Sequence, residues 1–316
     1  MQRRFVGFAW FVVIYNLGVI LWGAFVRATG SGAGCGSHWP LCNGEVIPRA
    51  PQVETMIEFT HRITSGVAGL LVIAMVVWAV RAFPKGHLAR RGAWLSLVVI
   101  IIEGLLGAGL VLLGLVADNS SWARAVAMGV HLMNTLLLLG VLVLTAWWGN
   151  GGGKLRWRGQ GMVSWLLFGG VAGMMVLGAT GAITALGDTL FPAESLRHGL
   201  AQDLDPQAHF LIQLRVWHPV LAIALGIYLL LAGRVVYRMR PQPATQRAAT
   251  VLLLLFCSQL AIGAVNLVLL APVAMQLIHL LMADLTWIAL VWLCASALSQ
   301  PQPTAVPVPE RARSYA

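Results

Sequence analysis

Four of the eight histidines, His61, His131, His218 and His279, fall inside long apolar stretches, each within about the first two turns of an even-numbered stretch. Standing alone, a histidine in such a stretch is as readily an interhelical hydrogen bond as a ligand. Four at one depth are a different case. A haem iron takes one axial ligand from each face of the porphyrin, and two imidazoles projecting from two helices at matching depth supply them. One haem in each half of the chain is therefore the expectation. Zinc and copper sites want three or four ligands converging on one ion, and a di-iron centre wants Glu-x-x-His on two helices. Here that pattern occurs once, as Glu58-Phe-Thr-His61. His38, His87, His198 and His209 lie in polar segments or at the edge of a stretch, with a solvated loop expected for His87.

Glu58 stands three residues before His61, whereas Arg215 stands three residues before His218, and on a helix positions i and i+3 share a face. A carboxylate facing one pocket accepts a proton or stabilises developing positive charge, while an arginine suits haem propionates. One half reads as a reactive site and the other as a permanent electron-transfer site. Upstream of Glu58 runs Gly30-Ser-Gly-Ala-Gly-Cys35-Gly-Ser-His-Trp-Pro-Leu-Cys42-Asn-Gly44. In an oxidising compartment its two cysteines pair, either as a staple or as a redox-active dithiol that exchanges electrons with the site or a thioredoxin-like partner. Cys257 and Cys294 read as small buried apolar residues. Glu103 and Asp284 are further acids inside apolar stretches, where polar contacts between helices are expected.

Positioning these groups takes helices. The chain has 316 residues, 59% hydrophobic and 10% charged, against roughly 25% charged in soluble domains, which excludes an ordinary soluble enzyme. Eight apolar runs lie at 5-26, 58-80, 92-116, 124-148, 162-186, 210-233, 248-270 and 273-298. Each approaches the ~20 residues that cross ~30 Å of hydrocarbon as a helix. The fold class is an all-α integral membrane protein with eight transmembrane helices. The run at 5-26 is too long for the apolar core of a signal peptide and is read as a helix. The net charge of +10 is not gathered with aromatics on a soluble face, so no nucleic acid is expected. It is a topology signal: the basic residues of the N-terminus, of 81-91, 154-158 and 234-247, and Arg311 and Arg313 share one side. Most of the acids share the other. Basic residues in short loops stay cytoplasmic, which places both termini in the cytoplasm and the cysteine loop outside.

The chain also repeats. Gly23-Ala24 recurs as Gly178-Ala179, Glu58-Phe-Thr-His61 as Arg215-Val-Trp-His218, and Gly104-Leu-Leu-Gly107-Ala108 as Leu260-Ala-Ile-Gly263-Ala264. Ala127-Met-Gly-Val-His131 recurs as Ala274-Met-Gln-Leu-Ile-His279. With four spans each, an even number, the halves share one orientation and form two parallel-repeat four-helix bundles. The expected organisation is an N-terminal bundle at 1-149, a cytoplasmic linker at 150-159, a C-terminal bundle at 160-298 and a cytoplasmic tail at 299-316. Gly104, Gly107, Gly109, Ala261 and Gly263 leave room either for a flat macrocycle or for close helix packing.

The run from Gly30 to Gly44, followed by Glu58-x-x-His61-Arg62 and the three later histidines, closely resembles the haem A synthase family, membrane enzymes that serve cytochrome oxidase assembly. The likeness covers nearly the whole chain. It implies conversion of haem O to haem A by stepwise oxidation of one porphyrin methyl group, through a hydroxymethyl intermediate, to a formyl group. It further implies a haem B cofactor between His218 and His279 and the substrate haem between His61 and His131. Glu58 matches the family's essential acid, and Cys35 with Cys42 match its cysteine pair. Arg27, Arg62 and Arg215 are candidates for the propionates, with pairing to loop carboxylates the equal alternative for Arg62 and Arg215. The implied partners are haem O and haem A, haem O synthase, oxidase assembly factors, a thiol-disulfide partner and the lipid of the cell membrane. Some members carry a second cysteine pair in the later loop, and residues 187-209 contain none.

Two readings compete. A di-haem electron-transfer subunit of the cytochrome b kind needs the four histidines but neither Glu58 nor the cysteine loop, and leaves both haems unchanged. A haem or small-molecule transporter would carry its polar sites near the midplane, whereas these histidines lie near one surface.

Overall fold

The computed structural model describes residues 2–299, so the tail from 300 onward, with Arg311 and Arg313, lies outside the described residues. Ten α-helices follow one another: α1 Gln2–Ala28, α2 Val53–Ala82, α3 Leu88–Leu112, α4 Trp122–Gly149, α5 Met162–Leu190, α6 Leu196–Asp203, α7 Phe210–Arg215, α8 Trp217–Met239, α9 Pro243–Val268 and α10 Val273–Leu298. With α7 and α8 forming one span, Phe210–Met239, the described residues contain eight helices long and apolar enough to cross a membrane. The protein is an all-helical, multi-pass membrane protein. Leu70, Trp165 and Leu254 stand well exposed on its flanks, which costs nothing where the surrounding solvent is hydrocarbon.

The helices outrun the apolar runs that announce them. α2 begins at Val53 rather than near 58 because its first turns are polar, with Glu54, Thr55 and Glu58, and an acid suits a helix N-terminus. α3 stops at Leu112, short of 116, where Gly114 takes φ +63 and the chain turns. α6, whose N-cap Ser195 accepts from the His198 N–H, is too polar to register as a span. The sixth span is interrupted at Val216, and Pro219 supplies the cause. It has no N–H for the Arg215 carbonyl four residues back, and its ring crowds that carbonyl. The equivalent position in the first half is Arg62, and α2 runs through it unbroken.

Packing proceeds in two rings of four spans. α1 lies on α2 and α4, and α3 lies between α2 and α4; α5 lies on α8 and α10, and α9 lies between α8 and α10. α4 also packs on α5 and α10, and α1 on both of these, so α1, α4, α5 and α10 form a seam between the rings. Its core includes Phe5, Val12, Leu139, Leu142, Leu290 and Leu293, all buried in one continuous cluster. Trp287 of α10 donates its indole N–H to the Leu136 carbonyl of α4 at 2.6 Å. Residues 150-159 cross between α4 and α5, where the Arg156 N–H donates to the Leu298 carbonyl at 3.0 Å.

Candidate functional site

The four span histidines lie in the first three turns of α2, α4, α8 and α10. His218 and His279 face one another, with ring centroids 6.4 Å apart and ring planes at 86°. Two imidazoles on opposite faces of one iron, each at a metal–nitrogen distance of about 2 Å, have centroids about 6 Å apart, so this pair fits a haem iron. Thr180 Oγ1 stands 3.2 Å from His218 Nδ1, which fixes the ring and leaves its other nitrogen for a metal. Gln259 Nε2 donates to the His279 carbonyl at 3.0 Å and stands 3.4 Å from His279 Nε2. The Nδ1 atoms of His61, His131 and His279 are buried without a hydrogen-bond partner, and such orphans call for an explanation.

Glycines bring neighbouring helices against three of the rings. A Cβ at Gly23 would stand 2.9 Å from His61 Cε1, one at Gly181 3.0 Å from His218 Cε1, and one at Gly263 2.9 Å from His279 Cε1. These are cradles that any side chain would fill. The sequence pairing of Gly23 with Gly178 is one turn off. Gly178 packs against Leu136, and Gly181 does for His218 what Gly23 does for His61. His131 has no such wall: Gly107, the counterpart of Gly263, has nothing within 4 Å of its Cβ position.

Glu58 is only 3% exposed. Its Oε2 accepts from the Cys35 N–H at 2.8 Å, and its Oε1 accepts from Arg62 Nε at 3.0 Å and Nη2 at 2.5 Å. Arg62 Nη1 donates to the His38 and Leu41 carbonyls, both at 2.7 Å. The loop closed by the Cys35–Cys42 disulfide is thereby latched to the two side chains that flank His61. Gly34 permits the approach, since a Cβ there would run into the Glu54 backbone, and Thr55 Oγ1 donates to the Gly34 carbonyl at 2.8 Å. A buried carboxylate held by fixed donors is a preorganised negative charge, ready for a proton or a developing cation.

At the matching place in the other ring the charge is inverted. Arg215 is 9% exposed and donates from Nε to Asp203 at 2.5 Å and from Nη1 to Asp188 at 3.4 Å. Its Nη2 reaches the Gly199 carbonyl and Gln202 Oε1, so three of its partners come from α6. Arg27 crosses the seam from α1 to the Ala185 carbonyl at 2.7 Å, Thr189 Oγ1 at 2.6 Å and Gln276 Oε1 at 2.7 Å. Each arginine read from the sequence as a propionate partner thus also has acceptors within the protein.

Several residues stand differently from their sequence reading. Glu103, for which the sequence named no partner, accepts from Asn134 Nδ2 at 2.6 Å and from the Thr135 hydroxyl, and its Oε1 lies 3.5 Å from His131 Nδ1. Asp284 makes no polar helix contact: both its carboxylate oxygens are buried and unpartnered. His87 is more than a solvated loop residue, since its ring caps α3 by accepting from the Ala89 N–H and stacks on Phe83. His209 caps α7 in the same way. Cys294 is buried as expected, whereas Cys257 is exposed.

A family model described as cytochrome oxidase assembly protein, COX15-CtaA, matches residues 7–291. A protein of Thermus thermophilus named protoheme IX farnesyltransferase is 56% identical over 297 residues, which cover 94% of this chain and 49% of that protein. The heme A synthase of Exiguobacterium sibiricum is 40% identical over 146 residues, 46% of this chain and 48% of its own length. The heme A synthase of Shouchella clausii is 50% identical over 105 residues, 32% of this chain and 35% of its own length. The chain spans about half the length, or less, of these curated relatives.

Proposed function

The chain belongs to the cytochrome oxidase assembly protein family COX15-CtaA, and from that membership we propose that it is an oxidoreductase converting haem O to haem A. One methyl group of the substrate is oxidised to a hydroxymethyl and then to a formyl group, each a two-electron oxidation that needs an acceptor outside this chain, with the oxygen atom supplied by a co-substrate. The observation that carries this reading is the charge inversion beside the two histidine pairs, with Glu58 latched near His61 and Arg215 in its place near His218. The substrate haem sits between His61 and His131, within 1-149. The Glu58 carboxylate accepts protons from the methyl group under oxidation and offsets positive charge on its carbon. Arg62 and the Cys35 N–H hold that carboxylate in place, and the disulfide loop keeps bulk water from it.

The residues of 160-298 fit a resident haem B, given the spacing of His218 and His279 and the cradles at Gly181 and Gly263. Bound there, haem B supplies one-electron transfer. Thr180 and Gln259 orient the two rings. A guanidinium has five N–H groups, and those that the protein bonds leave over on Arg27, Arg62 and Arg215 would be available to propionates. We take the disulfide as a brace for Glu58. The cysteine loop lies outside the cell membrane and both termini lie in the cytoplasm, as the basic residues direct.

The match covers 49% of the Thermus thermophilus protein, and we infer that farnesyl transfer resides in its other part. A prenyl diphosphate is held with Mg²⁺ by clustered carboxylates, and the described residues contain no group of three or more His, Cys, Asp or Glu placed to hold a metal ion. A farnesylated haem is nonetheless the substrate here, so a farnesyltransferase is the natural donor partner. The test is to express the protein in cells that make haem O but no haem A, purify it, and identify the extracted haems by chromatography and mass. Formyl or hydroxymethyl haem beside haem B is the expected result. Unmodified haem alone, with haem O present in the cells, contradicts it and leaves a di-haem cytochrome.

A further inference from the structure

The two rings differ behind their ligands as well as in front of them. The sequence repeat that sets Gly107 level with Gly263 sets Glu103 level with Gln259, and the one that sets His131 level with His279 sets Asn134 and Thr135 level with Met282 and Ala283. In the first ring Glu103 of α3 reaches α4 and is pinned there by Asn134 and Thr135, one donor to each carboxylate oxygen. Its Oε1 lies 3.5 Å from His131 Nδ1, an ion-pair distance, and that nitrogen makes no hydrogen bond. The two carboxylate oxygens each hold one donor, which leaves lone pairs for the imidazole N–H. In the second ring the level position holds a neutral amide, Gln259, which stands 3.4 Å from the other ring nitrogen of His279, Nε2, and donates to the His279 carbonyl, and Thr180, a hydroxyl, stands by His218 Nδ1. Neither brings a charge.

A carboxylate behind a ligating imidazole fixes its orientation and makes it a stronger donor, which favours the oxidised metal. We propose that Glu103 is a positioning residue, anchored by Asn134 and Thr135, that strengthens His131 as an iron ligand and sets the first-half haem at a lower reduction potential than the second-half haem. Electrons then run downhill from the substrate site toward the site behind which Gln259 stands. The proposal rests on the reading of His61 with His131 as a haem site.

Redox titration of the purified, haem-loaded protein, followed by its visible spectrum, tests this. His131→Ala and His279→Ala assign the two components, each variant removing one. In Glu103→Gln the first-half component should shift to higher potential with haem content unchanged. Outer partners of metal ligands are worth roughly tenfold or more, and a tenfold change in a one-electron equilibrium is about 59 mV. Gln259→Glu should move the second-half component the opposite way, and it decides the matter if Glu103→Gln fails to hold haem. Potentials that stay put in Gln259→Glu, or in a Glu103→Gln protein that keeps its haem, overturn the proposal alone. If His131→Ala removes no haem component, the first-half haem site falls and this inference with it.

Discussion

In the first ring the helix bearing His61 runs unbroken through Arg62, and a disulfide loop closes over it onto a buried carboxylate. In the second the helix bearing His218 breaks at Val216, and a short polar helix, α6, closes over it onto a buried arginine. The histidines and their depth are shared; the charges beside them are not. In the repeat Glu58 is matched by Arg215, Glu103 by Gln259, and open space at Gly107 by a filled cradle at Gly263. On the proposed reading, a repeated bundle keeps one pair of histidines twice and assigns different work to each copy through the residues one turn away and one layer behind.

The largest expected effect breaks the comparison at its charged pair. Glu58→Gln keeps the shape but removes the base, so the rate of haem oxidation should fall by about 10²- to 10⁴-fold with haem content unchanged. Arg215→Gln should fail differently, because Asp188 and Asp203 lose a buried partner. Such breakage costs about 3–5 kcal/mol, read as a lower midpoint in detergent thermal denaturation. A Glu58→Gln protein that oxidises haem O at the parental rate would remove the functional difference between the rings.

Next comes the loop. Replacing Cys35 and Cys42 by serine releases the brace over Glu58, which chain-entropy reasoning puts at about 2–3 kcal/mol for so short a loop. Turnover should fall by less than in Glu58→Gln, because Arg62 still holds the carboxylate. Equal loss in both would point to the thiols passing electrons. The smallest effect sharpens the comparison at the glycines. Gly263→Ala presses on His279 and should cost about 1–3 kcal/mol, visible as a perturbed haem spectrum. Gly107→Ala meets nothing and should stay within about 0.5 kcal/mol.

The spans, the four histidines and the Glu58–Arg215 inversion were legible in the sequence because apolar length and helical spacing are local signals. The bonds that give these residues their settings were not. Glu103 meets Asn134 and Thr135 across 31 and 32 residues, and Arg27 meets Gln276 across 249, distances at which periodicity carries no information. Helix ends were misjudged where the first turn is polar, as at Val53, since hydropathy sees the membrane and not the helix. The break at Val216 was written in Pro219, but proline in a span announces a kink without saying what the freed turn will do. Gly178 misled because a small residue recurs each turn of α5, and only packing tells which of them meets the ring.

The division of labour between the rings is tested most directly by removing one ligand from each and identifying what remains bound. His61→Ala and His279→Ala, each purified from cells that make haem O, should lose different haems. The first should retain haem B and lose haem O and its oxidised products. The second should lose haem B and still hold haem O. Loss of the same haem, or of both haems equally, from the two variants would contradict the assignment of substrate to the first ring and cofactor to the second.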